Sequence, residues 1–319
     1  MVTKAMFEGL SVATGIKLWE AMIRPTLEYA VEVWDGGTWP QAEQIQYTVG
    51  RTLLGLYRHT TREVVRGELG WMTMQARREI KLLKFWGKIL KMDGSRLTKQ
   101  VYRQCKKVTE GQRGSFCHAV CKTLRSLGLL HIWASEEIGE LKDWSTLVLA
   151  CVKAKDKDRW LLALQQKSKL RVYKCIKTEL QFEEYLRWPL SWEERALYAK
   201  LRSGTHQLRI ETGRWRKELE AERVCCICLT GNVENESHFL LDCYVYSRLR
   251  DKMFTSIKRN AGYAFDEMKD DKVSLLDALL GHGVASKIAR QVIGLAVCKF
   301  MVAAMRIRQG ILKSLEIAL

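Results

Sequence analysis

Cys225, Cys228, His238 and Cys243 stand in the spacing Cys-x2-Cys, nine residues, then His-x4-Cys. Zinc takes four N/S donors in a tetrahedron, and a Cys-x2-Cys turn lets two sulfurs converge on one ion. Gly231 and Asn232 in the gap allow the chain to turn back, and a helical run then presents His238 and Cys243. Cys226 is the poorer first ligand, because a single residue separates it from Cys228; it is expected to be a spare thiol or an alternate ligand. Asn235 is an N-cap candidate for the helix carrying His238, with Glu234 and Glu236 near its positive end and Phe239, Leu240 and Leu241 packed on the cysteine turn. Four ligands without a fifth make a closed site, so one structural Zn2+ is expected rather than a catalytic one.

A second group, Cys117, His118 and Cys121 with Cys105 upstream, has the i,i+4 spacing of an ordinary helix core. His131 and His206 read as surface or core histidines rather than ligands. Around the zinc motif the sequence gathers Arg202, His206, Arg209, Arg214, Trp215, Arg216, Lys217 and Arg223. Arginine grips phosphate bidentately, and both guanidinium and indole planes stack on bases. The same residues can instead brace the fold, with Arg209 or Arg214 paired to Glu211 or Glu218. No catalytic residues are assigned. Gly-rich phosphate loops and Ser/His/Asp arrangements are missing from the sequence. The pair Asp270-Asp271 lies in a lysine-flanked polar run, a poor place to hold two metal ions.

The elements that must position these residues are helical. Prolines are confined to Pro25, Pro40 and Pro189, and a 3.6-residue periodicity runs through the chain, so the fold class is mainly α. Thr60 with Glu63 and Ser191 with Glu194 match capping boxes, and Gly70 sits where a C′ glycine ends a helix. Thr73 caps a helix expected to run to about Met92, with Ile80, Leu83 and Trp86/Gly87 on one side. Arg77, Lys81, Lys84, Lys88 and Lys91 lie along the other, and Arg77, Arg78, Lys81, Lys84 and Lys88 are candidate nucleic-acid contacts. A last helical stretch runs from about residue 285 to 315, and the charged run 153–159 is read as a helix surface. The order expected is a helical region at 1–93, a basic helical linker region at 94–187, a zinc module at 188–260 and a C-terminal helical segment at 261–319.

The formal charge is +17, and residues 51–125 concentrate it, with 18 Lys+Arg against five Asp+Glu. A densely anionic partner is the simplest explanation, and nucleic acid is the commonest one. Residues 1–10 carry no apolar core or cleavage site of a signal peptide, and the apolar run 292–305 is short and interrupted by Lys299. Ten cysteines without a leader suit metal-binding thiols in a reducing compartment, nucleus or cytoplasm, with no membrane partner and no secretion.

The run Leu201-Arg-Ser-Gly-Thr-His-Gln-Leu-Arg-Ile-Glu-Thr-Gly-Arg-Trp215, then Arg223-Val-Cys-Cys-Ile-Cys228 and Glu234-Asn-Glu-Ser-His-Phe-Leu-Leu-Asp-Cys243, resembles the C-terminal zinc-knuckle region of non-LTR (LINE-type) retrotransposon reverse transcriptases. Ile23-Arg-Pro-Thr-Leu-Glu-Tyr-Ala, Val33-Trp34, Ile45-Gln46, Leu53-Leu-Gly, Thr61-Arg-Glu-Val-Val-Arg-Gly-Glu-Leu-Gly70, Arg77-Arg78 and Leu83-Lys-Phe-Trp86 are similar to the same reading frames just after the polymerase core. The resemblance covers about residues 16–90 and 195–250. It implies thumb and post-thumb helices in residues 1–93 that grip template and primer, and zinc ligands at Cys225, Cys228, His238 and Cys243. It implies RNA, DNA or both as partners, together with the polymerase palm portion of the same element. The palm's Tyr/Phe-x-Asp-Asp motif is not among these residues, so binding without polymerase chemistry is expected. Two other readings stay open: a subunit completing a palm supplied in trans, and a zinc-stabilised interaction protein.

Overall fold

The computed structural model describes residues 10–33, 38–109, 114–266 and 271–315. Trp34 and Asp270 lie outside them. In chain order the helices are α1 Val12–Leu18, α2 Arg24–Leu27, α3 Pro40–Leu54, α4 Arg62–Leu69, α5 Met74–Lys91, α6 Leu97–Thr109, α7 Phe116–Ser126 and α8 Leu130–Ser135. They continue with α9 Leu141–Gln165, α10 Arg171–Ile176, α11 Trp192–Arg202, α12 Arg209–Trp215, α13 Ser247–Asp266, α14 Lys272–Leu279 and α15 Lys287–Ser314. Among the described residues, β-pairing is limited to two isolated bridges, Leu69 with Phe182 and Val224 with Val233. The fold is mainly α.

Two compact units share the chain, and they are interleaved in sequence rather than consecutive. One holds residues 16–49 and 70–163; the other holds 50–69 and the residues from 164 onward, with those before 16. The four consecutive blocks expected from sequence do not coincide with these units. The reason is physical: helices distant in sequence share a core, which no local composition change marks.

In the unit of 16–49 and 70–163, α5 begins as its sequence dictates. Thr73 accepts from the Ala76 N–H at 3.0 Å, and its own N–H and hydroxyl donate to the buried carboxylate of Asp156 in α9. The expected charged surface at 153–159 is thus helical but turns one acid inward. Leu82, Leu83, Trp86 and Ile89 are buried, while Ile80 is only half-buried against the same core. Trp86 packs tilted against Trp133 and edge-on against Trp144, at 5.8 and 5.6 Å between ring centroids, and its indole N–H donates to the Tyr102 hydroxyl. Cys117 is fully buried here, with Cys105 and Cys121 packed against it. These thiols are core, as their spacing suggests.

In the other unit α15 is the central element, packed along α13 and α11. Phe300 on α15, Phe239 and Tyr246 form an edge-to-face trio at 5.3–6.4 Å. Ser191 and Glu194 form both bonds of a capping box at the start of α11. The box expected at Thr60 does not form: α4 starts one residue later, after Thr61, and the Thr60 hydroxyl is buried without a hydrogen-bond partner among the described residues. Gly70, at φ +64°, ends α4 as expected. Asp271 caps α14, accepting from the Val273 and Ser274 N–H groups.

The apolar run at 292–305 proves to be the middle of a 28-residue helix, α15. By length and mean hydropathy (1.6 over its most apolar window) that helix passes the test for a membrane span, and half of that window is buried inside the protein. The fully buried Arg308 near its end pairs with Glu234, which marks it as a packed helix of this core.

Candidate metal centre

The two halves of the Cys/His motif are brought together by ordinary backbone devices. Residues 223–234 double back as a tight hairpin: the Cys225 N–H donates to the Asn232 carbonyl at 2.8 Å and the Glu234 N–H to the Arg223 carbonyl at 3.0 Å. The reversal uses two left-handed residues, Leu229 at φ +57° and Gly231 at φ +77°; only the second is a residue type that adopts this region freely. On the other half, Asn235 is the N-cap foreseen from sequence, its side-chain oxygen accepting from the His238 N–H at 2.8 Å. A single π-type turn, His238–Asp242, follows, closed by the Cys243 N–H on the His238 carbonyl. That wider turn puts His238 and Cys243, five apart, on one side.

The result is one buried cluster. The donor atoms of Cys225, Cys228, His238 and Cys243 all lie within 4.8 Å of one another, and all four residues are buried. Cys228 Sγ and His238 Nε2 are 3.4 Å apart. A tetrahedron with metal–sulfur bonds of about 2.3 Å has edges of roughly 3.8 Å, a size that this spacing allows. The hydrogen bond with Cys243, and then burial, push the Cys225 thiol up to about 12, while the same bond pulls Cys243 below its ordinary value. His238 is raised by its hydrogen bond to Cys225. The group can hold a metal ion. Cys226, half-buried and next to it, is not among the converging donors.

The surroundings hold the donors in place. Arg250 donates to the Leu240 and Cys243 carbonyls, both at 2.8 Å, and so fixes the turn that ends at Cys243. The Thr230 hydroxyl lies 3.1 Å from Cys228 Sγ. Glu234 and Glu236, beside the start of the helix that carries His238, are both buried. Glu234 takes two bonds from Arg308, each 2.9 Å, and one from the Arg209 N–H. Glu236 accepts from His206 Nε2 at 3.0 Å and from Arg171. Burial alone would raise the Glu236 carboxyl, but His206 and then Arg171 hold it down at about 2. Phe239 and Leu240 are buried, and Phe239 packs on Tyr246 and Phe300. Arg308 and Arg250 escaped the sequence reading; an arginine inside an apolar helix was the available signal for the first.

The residues expected to contact nucleic acid divide by exposure. Arg202 is buried and bonded to Glu68, Glu183 and the Leu280 carbonyl, and His206 is buried against Glu236, so both brace the interior. Arg209 pairs with Glu218, and the half-exposed Arg214 pairs with Glu211 at 2.8 Å. Trp215, 54 % exposed, and Arg216 stand on the surface. On α5, Arg77 and Arg78 are half-buried, Lys81 is tied to Glu28 at 3.1 Å, Lys84 is half-buried and Lys88 is exposed. A cavity of about 540 Å³ is lined in part by Lys177, Glu183, Arg202 and Arg290, and these four charges are engaged: Lys177 and Arg202 with Glu183, and Arg290 with Glu184.

Compared with protein-family models, with curated protein sequences and with solved structures, the chain gives no match.

Proposed function

We propose that this chain is a nucleic-acid-binding portion of a non-LTR retrotransposon reverse transcriptase, in which one structural zinc ion is held by Cys225, Cys228, His238 and Cys243. The observation that carries the reading is the convergence of those four donors from the Cys-x2-Cys and His-x4-Cys halves into one buried cluster. Three thiolates and one imidazole at tetrahedral spacing are the donor set zinc prefers, and four ligands leave no position for substrate or water. Zinc therefore supplies fold stability here, and Arg250, Glu234 and the π-type turn hold the ligands for it.

The rest of the reading rests on charge and motif order. A net charge of +17, with Lys88 exposed on one unit and Trp215 and Arg216 exposed on the other, suits a polyanion. The ordered motifs that resemble post-polymerase and zinc-knuckle segments point to the element-encoded enzymes as the origin. These residues contain no Tyr/Phe-x-Asp-Asp motif, so binding rather than nucleotide transfer is assigned to them. Zinc-loaded protein should bind RNA or DNA at about 50 mM salt and lose roughly 10³-fold or more in affinity by about 200 mM, because each neutralised phosphate releases counterions. Absence of binding at the lower salt removes this function.

A second reading is favoured by one observation: Arg202, His206, Arg209 and Arg214 are all engaged with carboxylates. It is a zinc-stabilised helical protein that binds other proteins. Such a chain would keep its metal and helices yet show no salt-sensitive retention on nucleic acid.

A further inference from the structure

Trp215 is not a lone exposed indole. The loop between α3 and α4 brings two more rings to it: Tyr57 and His59 stack at 5.3 Å with an 11° interplanar angle, and His59 meets Trp215 at 5.7 Å and 86°. The loop is fixed from below. Gly55 takes φ +64° and passes so close to α11 that a Cβ there would lie 2.5 Å from that of Ala196. Lys200 Nζ sits 4.4 Å over the centroid of the Tyr57 ring, and Tyr57 is hydrogen-bonded to Gln207. On the opposite side α12 ends at Trp215, and Lys217, at φ +61°, turns the chain away and leaves the indole projecting.

Together these rings wall a surface cavity of about 360 Å³, bordered by Arg216. The two perpendicular rings, His59 and Trp215, form a corner. Cations crowd around it: partial burial and then the positive charges of Lys169, Arg214 and Arg51 hold the His59 imidazole below its ordinary value. Lys169 is itself depressed by burial and by Arg214. An aromatic corner ringed by positive charge is complementary to one common chemical unit, a flat π-system carried on a phosphate chain.

We propose that the corner formed by Tyr57, His59 and Trp215 is a stacking site for an unpaired base of single-stranded nucleic acid. The inference rests on the nucleic-acid-binding reading above and specifies which surface does the binding and what it selects. Every base has a π-face, so stacking tolerates sequence. In a duplex those faces are covered by neighbouring pairs, so the corner discriminates single from double strands. Arg216, which borders the cavity, takes a flanking phosphate.

The test is fluorescence anisotropy of the zinc-loaded full chain with three labelled probes of equal length: a single strand, its duplex, and a strand of abasic sugar-phosphate units. Trp215→Ala should weaken single-strand binding by about tenfold, within the range for loss of one stacked base, and change duplex and abasic binding by less than about twofold. His59→Ala should act in the same direction, and Trp215→Phe should recover most of the affinity. Both side chains are exposed, and an unchanged far-ultraviolet spectrum and zinc content check the fold. Equal losses on all three probes, or no loss on the single strand, overturn the stacking site while leaving nucleic-acid binding intact. If the unaltered chain binds none of the probes, the nucleic-acid reading itself fails, and the stacking site with it.

Discussion

Every acceptor position used on the Glu234 carboxylate has a specific donor: two from Arg308 and one from the Arg209 backbone, all within 2.9 Å. Glu234 and Arg308 are 1 % and 0 % exposed, so the pair exists in a low-dielectric interior where each charge depends on the other. Glu234→Ala should therefore cost about 3–5 kcal/mol in urea unfolding of the metal-loaded chain, mostly from the stranded guanidinium. Glu234→Leu with Arg308→Met should recover most of that; a double variant no better than the single one would mean the pair is not what holds these elements. Glu183 gives a pH-dependent counterpart. Burial would raise its carboxyl, but Arg202 and then Lys177 hold it below the ordinary range. The folded state thus binds this proton less readily than the unfolded chain does, so the contribution is complete above the unfolded pKa and lost as pH falls through the folded one. The stability gap between the natural chain and Glu183→Gln should be full at neutral pH and shrink below about pH 4. A gap that grows on acidification would contradict the assignment.

At the scale of elements, α15 contains two glycines with opposite expectations. A Cβ on Gly294 would fall 1.8 Å from the Trp188 ring, whereas one on Gly310 meets nothing within 4 Å among the described residues. Gly294→Ala should destabilise by about 1–3 kcal/mol through overpacking, and Gly310→Ala should stabilise by up to about 1 kcal/mol through helix propensity; thermal midpoints decide both. The same contrast separates what was legible in the sequence from what was not. Signals spanning three or four residues were readable: Thr73 and Ser191 as caps, Gly70 as a helix end, Asn235 before the ligand helix. The metal cluster was readable because its two halves lie close in sequence and use rare donor types. Thr60 misled because a capping-box pattern does not secure the bond: α4 begins at Arg62, and the hydroxyls of Thr60 and Thr61 are both buried without a hydrogen-bond partner among the described residues. Pairs such as Glu234 with Arg308, 74 residues apart, leave no local trace, and neither does the meeting of Tyr57 and His59 with Trp215. The interleaved units follow the same logic, because they are made of such distant contacts.

For the whole molecule the governing quantity is charge. Among the described residues the buried acids (Glu28, Glu68, Glu79, Asp156, Glu211, Glu234, Glu236) are matched in number by buried lysines and arginines, so burial leaves the +17 excess to the remaining surface. If that surface binds phosphates, Lys84→Gln with Lys88→Gln should weaken binding to all sequences alike and flatten the slope of log K against log salt by up to about 2. A loss confined to particular base sequences would argue against simple phosphate contact there. The unit that carries Trp215 must in turn be held, and that returns to the four donors, since ligation energy in a small metal module is folding energy. The most direct measurement is the metal content of the purified full chain by mass spectrometry beside Cys228→Ser and His238→Ala. About one zinc per chain, lost in both variants together with order in residues 223–250, is expected from a closed four-ligand site; equal metal content in all three proteins would contradict it.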